Sequence, residues 1–166
     1  MNYNDIKRFT EDGHYRVDVL FQSISDHIEK LISENGLILI PDFQRGHVWT
    51  EDQQIKFVEY ILRGGITSDI RFNHPGWMRG WEGEFVCVDG LQRITAIMEF
   101  QMNTFPVLGS YYKDYEGRTL TSLGFRVNNL KTKKEVLQWY VELNDGGTPH
   151  SDKEINKVKK MIEKEK

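Results

Sequence analysis

The sequence predicts one α+β (mixed α/β) domain, a small mixed sheet flanked by helices. Two observations carry this prediction. Short apolar runs of strand length, such as Phe85-Val86-Cys87-Val88, alternate with longer stretches whose apolar residues recur at helical spacing. The 166 residues suffice for one domain with a real core, and 39% hydrophobic with 28% charged residues is an ordinary globular balance. No repeat or low-complexity linker divides residues 1–166.

The first 14 residues are polar and read as an arm. Residues 15–21 alternate loosely, as a short strand does. Residues 25–34 carry Ile28, Leu31 and Ile32 on one helical face, and Asn35-Gly36 stops that helix. Residues 37–40 read as a buried strand ended by Pro41, which lacks a ladder donor. Thr50-Glu51-Asp52-Gln53 is a capping box, opening a helix with Ile55, Val58, Ile61 and Leu62 on one stripe and Gly64-Gly65 as its stop.

Residues 70–72 read as a short strand, 74–84 as a loop rich in glycine and tryptophan, 85–88 as a strand and 92–102 as a helix. A strand is predicted over 104–108, then an aromatic, irregular stretch over 111–126. Thr132-Lys133-Lys134-Glu135 is a second capping box, opening a helix through Leu143. Ser151-Asp152-Lys153-Glu154 is a third, opening a C-terminal helix within 151–166. The strand order is not legible in the pattern.

Composition narrows the function. A formal net charge of -3 excludes a generically basic nucleic-acid coat, so any DNA contact has to come from a local patch. The one cysteine, Cys87, lies in an apolar run and reads as a small core residue; it excludes a disulfide framework. No apolar stretch reaches bilayer length and the N-terminus has no signal-peptide core, so the expected location is the cytoplasm. His14, His27, His47, His74 and His150 are scattered without the spacing of a zinc site. Neither a Walker-type loop nor a Gly-x-Ser-x-Gly elbow is present.

The chemistry concentrates in Asp89-Gly90-Leu91-Gln92-Arg93, where a strand hands over to a helix. A helix N-terminus exposes unpaired amides and attracts phosphate. Gly90 permits the turn and a close ligand approach. Arg93 places a cation where the helix dipole prefers an acid, which suggests an anionic ligand or an ion pair. Asp89 can hold Mg²⁺ through water, position a nucleophile or orient Arg93. The plainer alternative makes Asp89 an N-cap and Arg93 the partner of a surface acid. A second pair, Gln44-Arg45, also follows a strand and precedes a capped helix, so both pairs can meet at one sheet edge.

IPDFQRGHVW followed by a helix, then FVCVDGLQRITAI, resembles the N-terminal domain of GmrSD-type modification-dependent restriction enzymes, a domain similar in fold to ParB and sulfiredoxin. LNDGGTPHSDKEI, residues 143–155, resembles a third motif of that family, and the resemblance spans about residues 38–155. It implies a nucleotide site: Asp89, Gly90, Leu91, Gln92 and Arg93 at the phosphates, Gln44 and Arg45 lining the same pocket, and Asn144, Gly147 and Ser151 from the third segment. Asp89, Gln92 and Arg93 are then the catalytic candidates, with an NTP as substrate or ligand and Mg²⁺ (or another divalent metal) at Asp89. Leu91 stands where the family commonly has Gln, and His150 where an aliphatic residue is common. The chain leaves no room for the HNH-type nuclease domain of larger relatives, so restriction activity of that kind is not implied.

The leading expectation is therefore an NTP hydrolase or phosphotransferase acting in a DNA-directed process. A non-catalytic nucleotide- or DNA-binding adaptor, working with a partner protein or as a homodimer, and a metal-dependent nicking enzyme are the alternatives. Direct DNA contacts are expected from Trp77 and Arg79, in the aromatic and basic loop, and from Lys131, Lys133 and Lys134 near Arg126. The competing reading of the tryptophans is that they cover the core.

Overall fold

The computed structural model describes residues 1–6, 15–46, 48–145 and 152–165. Its strands are β1 (Tyr15–Leu20), β2 (Leu37–Ile38), β3 (Ile70–Asn73), β4 (Phe85–Asp89) and β5 (Ser122–Asn128); its helices are α1 (Ile24–Asn35), α2 (Glu51–Leu62), α3 (Leu91–Gln101), α4 (Lys133–Asp145) and α5 (Asp152–Lys164). The strands form one mixed sheet in the order β1-β5-β3-β4-β2. β1 runs antiparallel to β5 and β4 antiparallel to β3, while the β3–β5 and β2–β4 pairs are parallel. The fold is α+β, as the pattern predicts.

Successive strand side chains point to opposite faces, so each strand feeds two environments. Val19, Ile70, Phe72, Phe85, Cys87, Leu123, Phe125 and Val127 pack with Ile28 of α1, Val58 and Ile61 of α2, and Ile94, Ile97 and Phe100 of α3. The other face is covered over β4 and at the Asn73 and Asn128 ends of β3 and β5. There Val86 and Val88 pack with Phe43, Leu137, Trp139 and Tyr140 of α4, and Val158 of α5. Toward β1 this second face carries Arg16, Asp18, Arg71 and Arg126 in place of apolar residues.

The local signals explain most helix boundaries. Thr50 Oγ1 accepts the Gln53 amide at 3.3 Å while the Gln53 side chain accepts the Thr50 amide at 2.9 Å, the reciprocal pair expected of a capping box. Thr132 and Glu135 repeat it at α4. Gly36, at φ 68°, closes α1 with its amide on Ile32 and Leu31 carbonyls. Ser151 of the third box lies outside the described residues, as do Gly147, His47 and His150.

Three expectations are corrected. Residues 104–108 form no strand: Val107 makes a single bridge with Ser110, and Leu108 turns at φ 50°. The missing strand is β5, inside the stretch read as irregular. Leu123, Phe125 and Val127 alternate with Gly124 and Arg126, the pattern of a half-buried strand. The run 37–40 shortens to the two residues of β2, because this is a sheet edge with one neighbour; Ile38 and Ile40 are exposed. No helix among the described residues is long and apolar enough to cross a membrane.

Candidate functional site

The strand-to-helix handover at Asp89 is built by two backbone irregularities. The β3–β4 register shifts between Arg71 and Phe72, so Asp89 falls opposite Arg71. Gly90 then adopts φ 110° as the N-cap of α3, with no side chain capping the first turn. A Cβ on Gly90 would lie 2.5 Å from Ile70 Cδ1, so both space and dihedral require glycine there. Asp89 is thus not the N-cap.

Asp89 instead binds two arginines through the same oxygen. Arg71 Nη1 donates to Oδ2 at 2.8 Å and Arg93 Nη2 donates to it at 3.0 Å. Arg93 Nη1 also donates to Thr67 Oγ1 at 3.1 Å, to Ser68 Oγ at 3.0 Å and to the Ser68 carbonyl. Its side chain is 11% exposed, against 28% for Arg71. Burial pulls the Arg93 guanidinium below its ordinary pKa and Asp89 opposes that, so the carboxylate is what makes the buried cation tolerable.

Gln44 and Arg45 reach the same place from the loop before α2. Gln44 Nε2 donates to the Val88 carbonyl at 3.0 Å, and Arg45 Nη1 pairs with Glu154 of α5 at 3.4 Å. Two buried atoms of this pair, Gln44 Oε1 and Arg45 Nε, have no hydrogen-bond partner among the described residues. Gln92 is engaged by the chain itself. Its Oε1 accepts the amides of Val48 and Trp49 at 2.8 and 3.1 Å, and its Nε2 donates to the Gly46 carbonyl at 3.1 Å. It ties the Gln44-Arg45 loop to the first turn of α3.

These residues surround a cavity of about 430 Å³, lined by Gln44, Arg45, Asp89, Gly90, Leu91, Gln92, Arg93 and Asn144 together with Trp49, Phe57, Tyr60, Thr67, Ser68, Arg71, Val88, Tyr140 and Leu143. The two Gln-Arg pairs and Asn144 therefore converge, although Asn144 donates its amide to the Tyr140 carbonyl at 2.6 Å. Among the lining residues three guanidiniums face one carboxylate. Burial pushes the Tyr140 phenol up to about 12 although Arg45 opposes it, and burial raises the Cys87 thiol as well, so neither ionises near neutral pH. The site is suited to holding an anion, with charge and dipole as its means.

A metal fits less readily. The described residues contain no group of three or more His, Cys, Asp or Glu side chains placed to hold an ion. Asp89 is the one carboxylate lining the cavity, and one of its oxygens already serves two cations. The protein by itself builds no Mg²⁺ cage here.

The residues expected to touch DNA lie elsewhere. Trp77 packs against Phe85, Trp81, Tyr15 and His74 at ring distances of 4.8–6.1 Å, as a cover for the core. Arg79 is exposed on that loop. Lys131 donates to the Pro75 carbonyl at 2.7 Å and Lys133 pairs with Asp42 at 2.6 Å; both line a separate cavity of about 450 Å³, and Lys134 is exposed beside them.

Sequence reasoning missed Arg71, the aromatic wall of Trp49, Phe57 and Tyr60, and the Thr67-Ser68 clamp. Arg71 did leave a signal, a charge between two fully buried residues, Ile70 and Phe72. The sheet register extends it into a row across the open face, Asp89 beside Arg71, Arg71 beside Arg126, and Arg126 beside Arg16. Asp69 bridges the outer two, 3.2 Å from Arg16 Nε and 3.1 Å from Arg126 Nε.

With this geometry in view, the comparison with known families is decisive. The profile of the GmrSD restriction endonuclease N-terminal domain matches residues 28–126, more than half of the chain. The chain belongs to this family. Membership ties this GmrSD-type domain to DNA-related restriction. The match includes both Gln-Arg segments and ends before Leu143, so the third segment stands outside it. No curated protein and no solved structure matches the chain.

Proposed function

We propose that the GmrSD-type domain binds the phosphates of a nucleoside triphosphate in the Asp89 cavity and hydrolyses or transfers the terminal phosphate in a DNA-directed process. The observation that carries this is the convergence of Arg45, Arg71 and Arg93 with the uncapped first turn of α3 on one cavity. Phosphoryl transfer asks chiefly for positioning and charge neutralisation, and this set of groups supplies both. The unpartnered Gln44 Oε1 and Arg45 Nε add support, since a ligand would satisfy them. Asp89 sets the two arginines and orients water or the acceptor. Mg²⁺ enters this reading as the counter-ion that arrives on the phosphates, not as a resident ion.

The test is a panel of the four ribonucleoside triphosphates with Mg²⁺, reading binding by thermal shift and turnover by phosphate release. At least one nucleotide should raise Tm and release phosphate. No shift with any of them overturns the reading.

A second reading is a nucleotide- or DNA-binding adaptor without turnover, with a partner protein or a second copy as its target. The row of Arg71, Arg126 and Arg16 favours it, because guanidiniums lined up from a phosphate pocket, although paired with Asp89, Asp69 and Asp18, can exchange those partners for the phosphates of a polyanion backbone. Binding without phosphate release, falling steeply with salt, would select this reading.

A further inference from the structure

We propose that Tyr60 is a stacking platform for a nucleobase, making the cavity a site for a whole nucleotide and not only for phosphate. This rests on the phosphate reading of the same cavity. Phe57 and Tyr60 lie three residues apart on α2 and so share a face, and both line the cavity that holds Arg71 and Arg93. Phe57 is packed edge-to-face on Trp49, with centroids 5.3 Å apart, and both lean on the core as a back wall. Tyr60 differs: it is 51% exposed.

An exposed tyrosine is commonly a mobile side chain with its hydroxyl in water. Tyr60 is neither. Its hydroxyl donates to the Ile66 carbonyl at 2.8 Å and accepts the Ile66 amide at 3.1 Å. Gly65 lies against the ring so closely that a Cβ there would be 2.5 Å from Cε1 and Cζ. The hydroxyl is therefore consumed by its own loop, and the ring is held by packing. What the residue presents to the cavity is an aromatic surface already fixed in place, so little side-chain entropy is lost when a ligand stacks on it. The loop that fixes it continues directly into Thr67 and Ser68, which hold Arg93. The base platform and the phosphate cation are thereby set by one segment. A flat π-system beside a cationic phosphate pocket matches the two ends of a nucleotide.

The test compares the tightest-binding of the four ribonucleoside triphosphates with inorganic tripolyphosphate, each titrated calorimetrically against wild type, Tyr60→Phe, Tyr60→Leu and Tyr60→Ala. Stacking on one base is large enough to change affinity by about five-fold or more. Wild type should prefer the nucleotide to tripolyphosphate by at least that factor. Tyr60→Ala and Tyr60→Leu should remove the preference, while Tyr60→Phe should keep most of it; any loss of tripolyphosphate affinity that follows from releasing Ile66 should appear in all three variants, since all three lack the hydroxyl. Tyr60→Leu decides the matter if Tyr60→Ala does not fold. Equal nucleotide affinity in wild type and Tyr60→Leu overturns the stacking role and leaves the phosphate reading intact. Failure of both probes to bind wild type overturns both.

Discussion

Replacing Asp89 by asparagine should move stability and anion binding in opposite directions. The carboxylate serves Arg71 at 2.8 Å and Arg93 at 3.0 Å. Breaking a fully buried ion pair costs roughly 3–5 kcal/mol, whereas an exposed pair contributes about 0–1 kcal/mol. Arg93 is 11% exposed but Asp89 itself is 31% exposed, so the pairs sit between these limits. The expected loss for Asp89→Asn is therefore about 1–3 kcal/mol. The amide oxygen still accepts a hydrogen bond, which keeps the shape of the site. The cavity meanwhile loses its one lining carboxylate and keeps three guanidiniums. Tripolyphosphate should thus bind Asp89→Asn at least as tightly as wild type at low salt, while any phosphate release falls. Urea unfolding supplies the stability and calorimetry the affinity. An unchanged urea midpoint, or a folded variant with tenfold weaker tripolyphosphate binding, would refute the assignment of Asp89 as the group that sets the arginines.

Other perturbations test the supporting structure. Gly90→Ala should destabilise by roughly 2–5 kcal/mol, from a left-handed dihedral at about 1–2 kcal/mol and crowding of Ile70 at about 1–3 kcal/mol; a urea midpoint matching wild type would show that α3 starts differently. Gln92→Ala removes three hydrogen bonds to the loop 46–49 and should cost roughly 1–3 kcal/mol. Gln92→Glu, which keeps the acceptor, should lie between, with Trp49 emission shifting to the red in the order of the losses. Asp69 gives a pH signature. Burial pushes its carboxyl up, but hydrogen bonds from Arg16 and Arg126 outweigh that and hold it below the ordinary value. Its contribution is then present above the unfolded pKa of about 4 and lost as pH falls through the folded value. Asp69→Asn should flatten the acid limb of a stability-versus-pH curve below about pH 4 relative to wild type.

Much of the molecule was legible in one dimension. The capping boxes at Thr50 and Thr132, the glycine stop at Gly36 and the apolar stripes of α1 and α2 are local signals, each set by residues three or four apart in the chain. The handover at Asp89-Gly90 was legible too, because a cation in the first turn of a helix conflicts with its dipole. The errors fell where the environment is decided by other strands. Ile38 and Ile40 read as buried but lie at an edge with one neighbour, and Leu123 to Val127 became a strand because β1 and β3 flank it.

The site divides in the same way. The sequence by itself determined which loops carry polar pairs and that Gly90 has to turn. Only the tertiary structure decided their partners. A β-bulge brings Arg71 onto Asp89, Gln92 is turned inward to hold a loop, and Glu154, 109 residues away in the chain, meets Arg45. The physical reason is range. A cap or a periodic stripe is stabilised by neighbours three or four residues off, so its pattern is written where it acts. An ion pair across a sheet depends on register and strand order, which are set by the burial of side chains far apart in the chain.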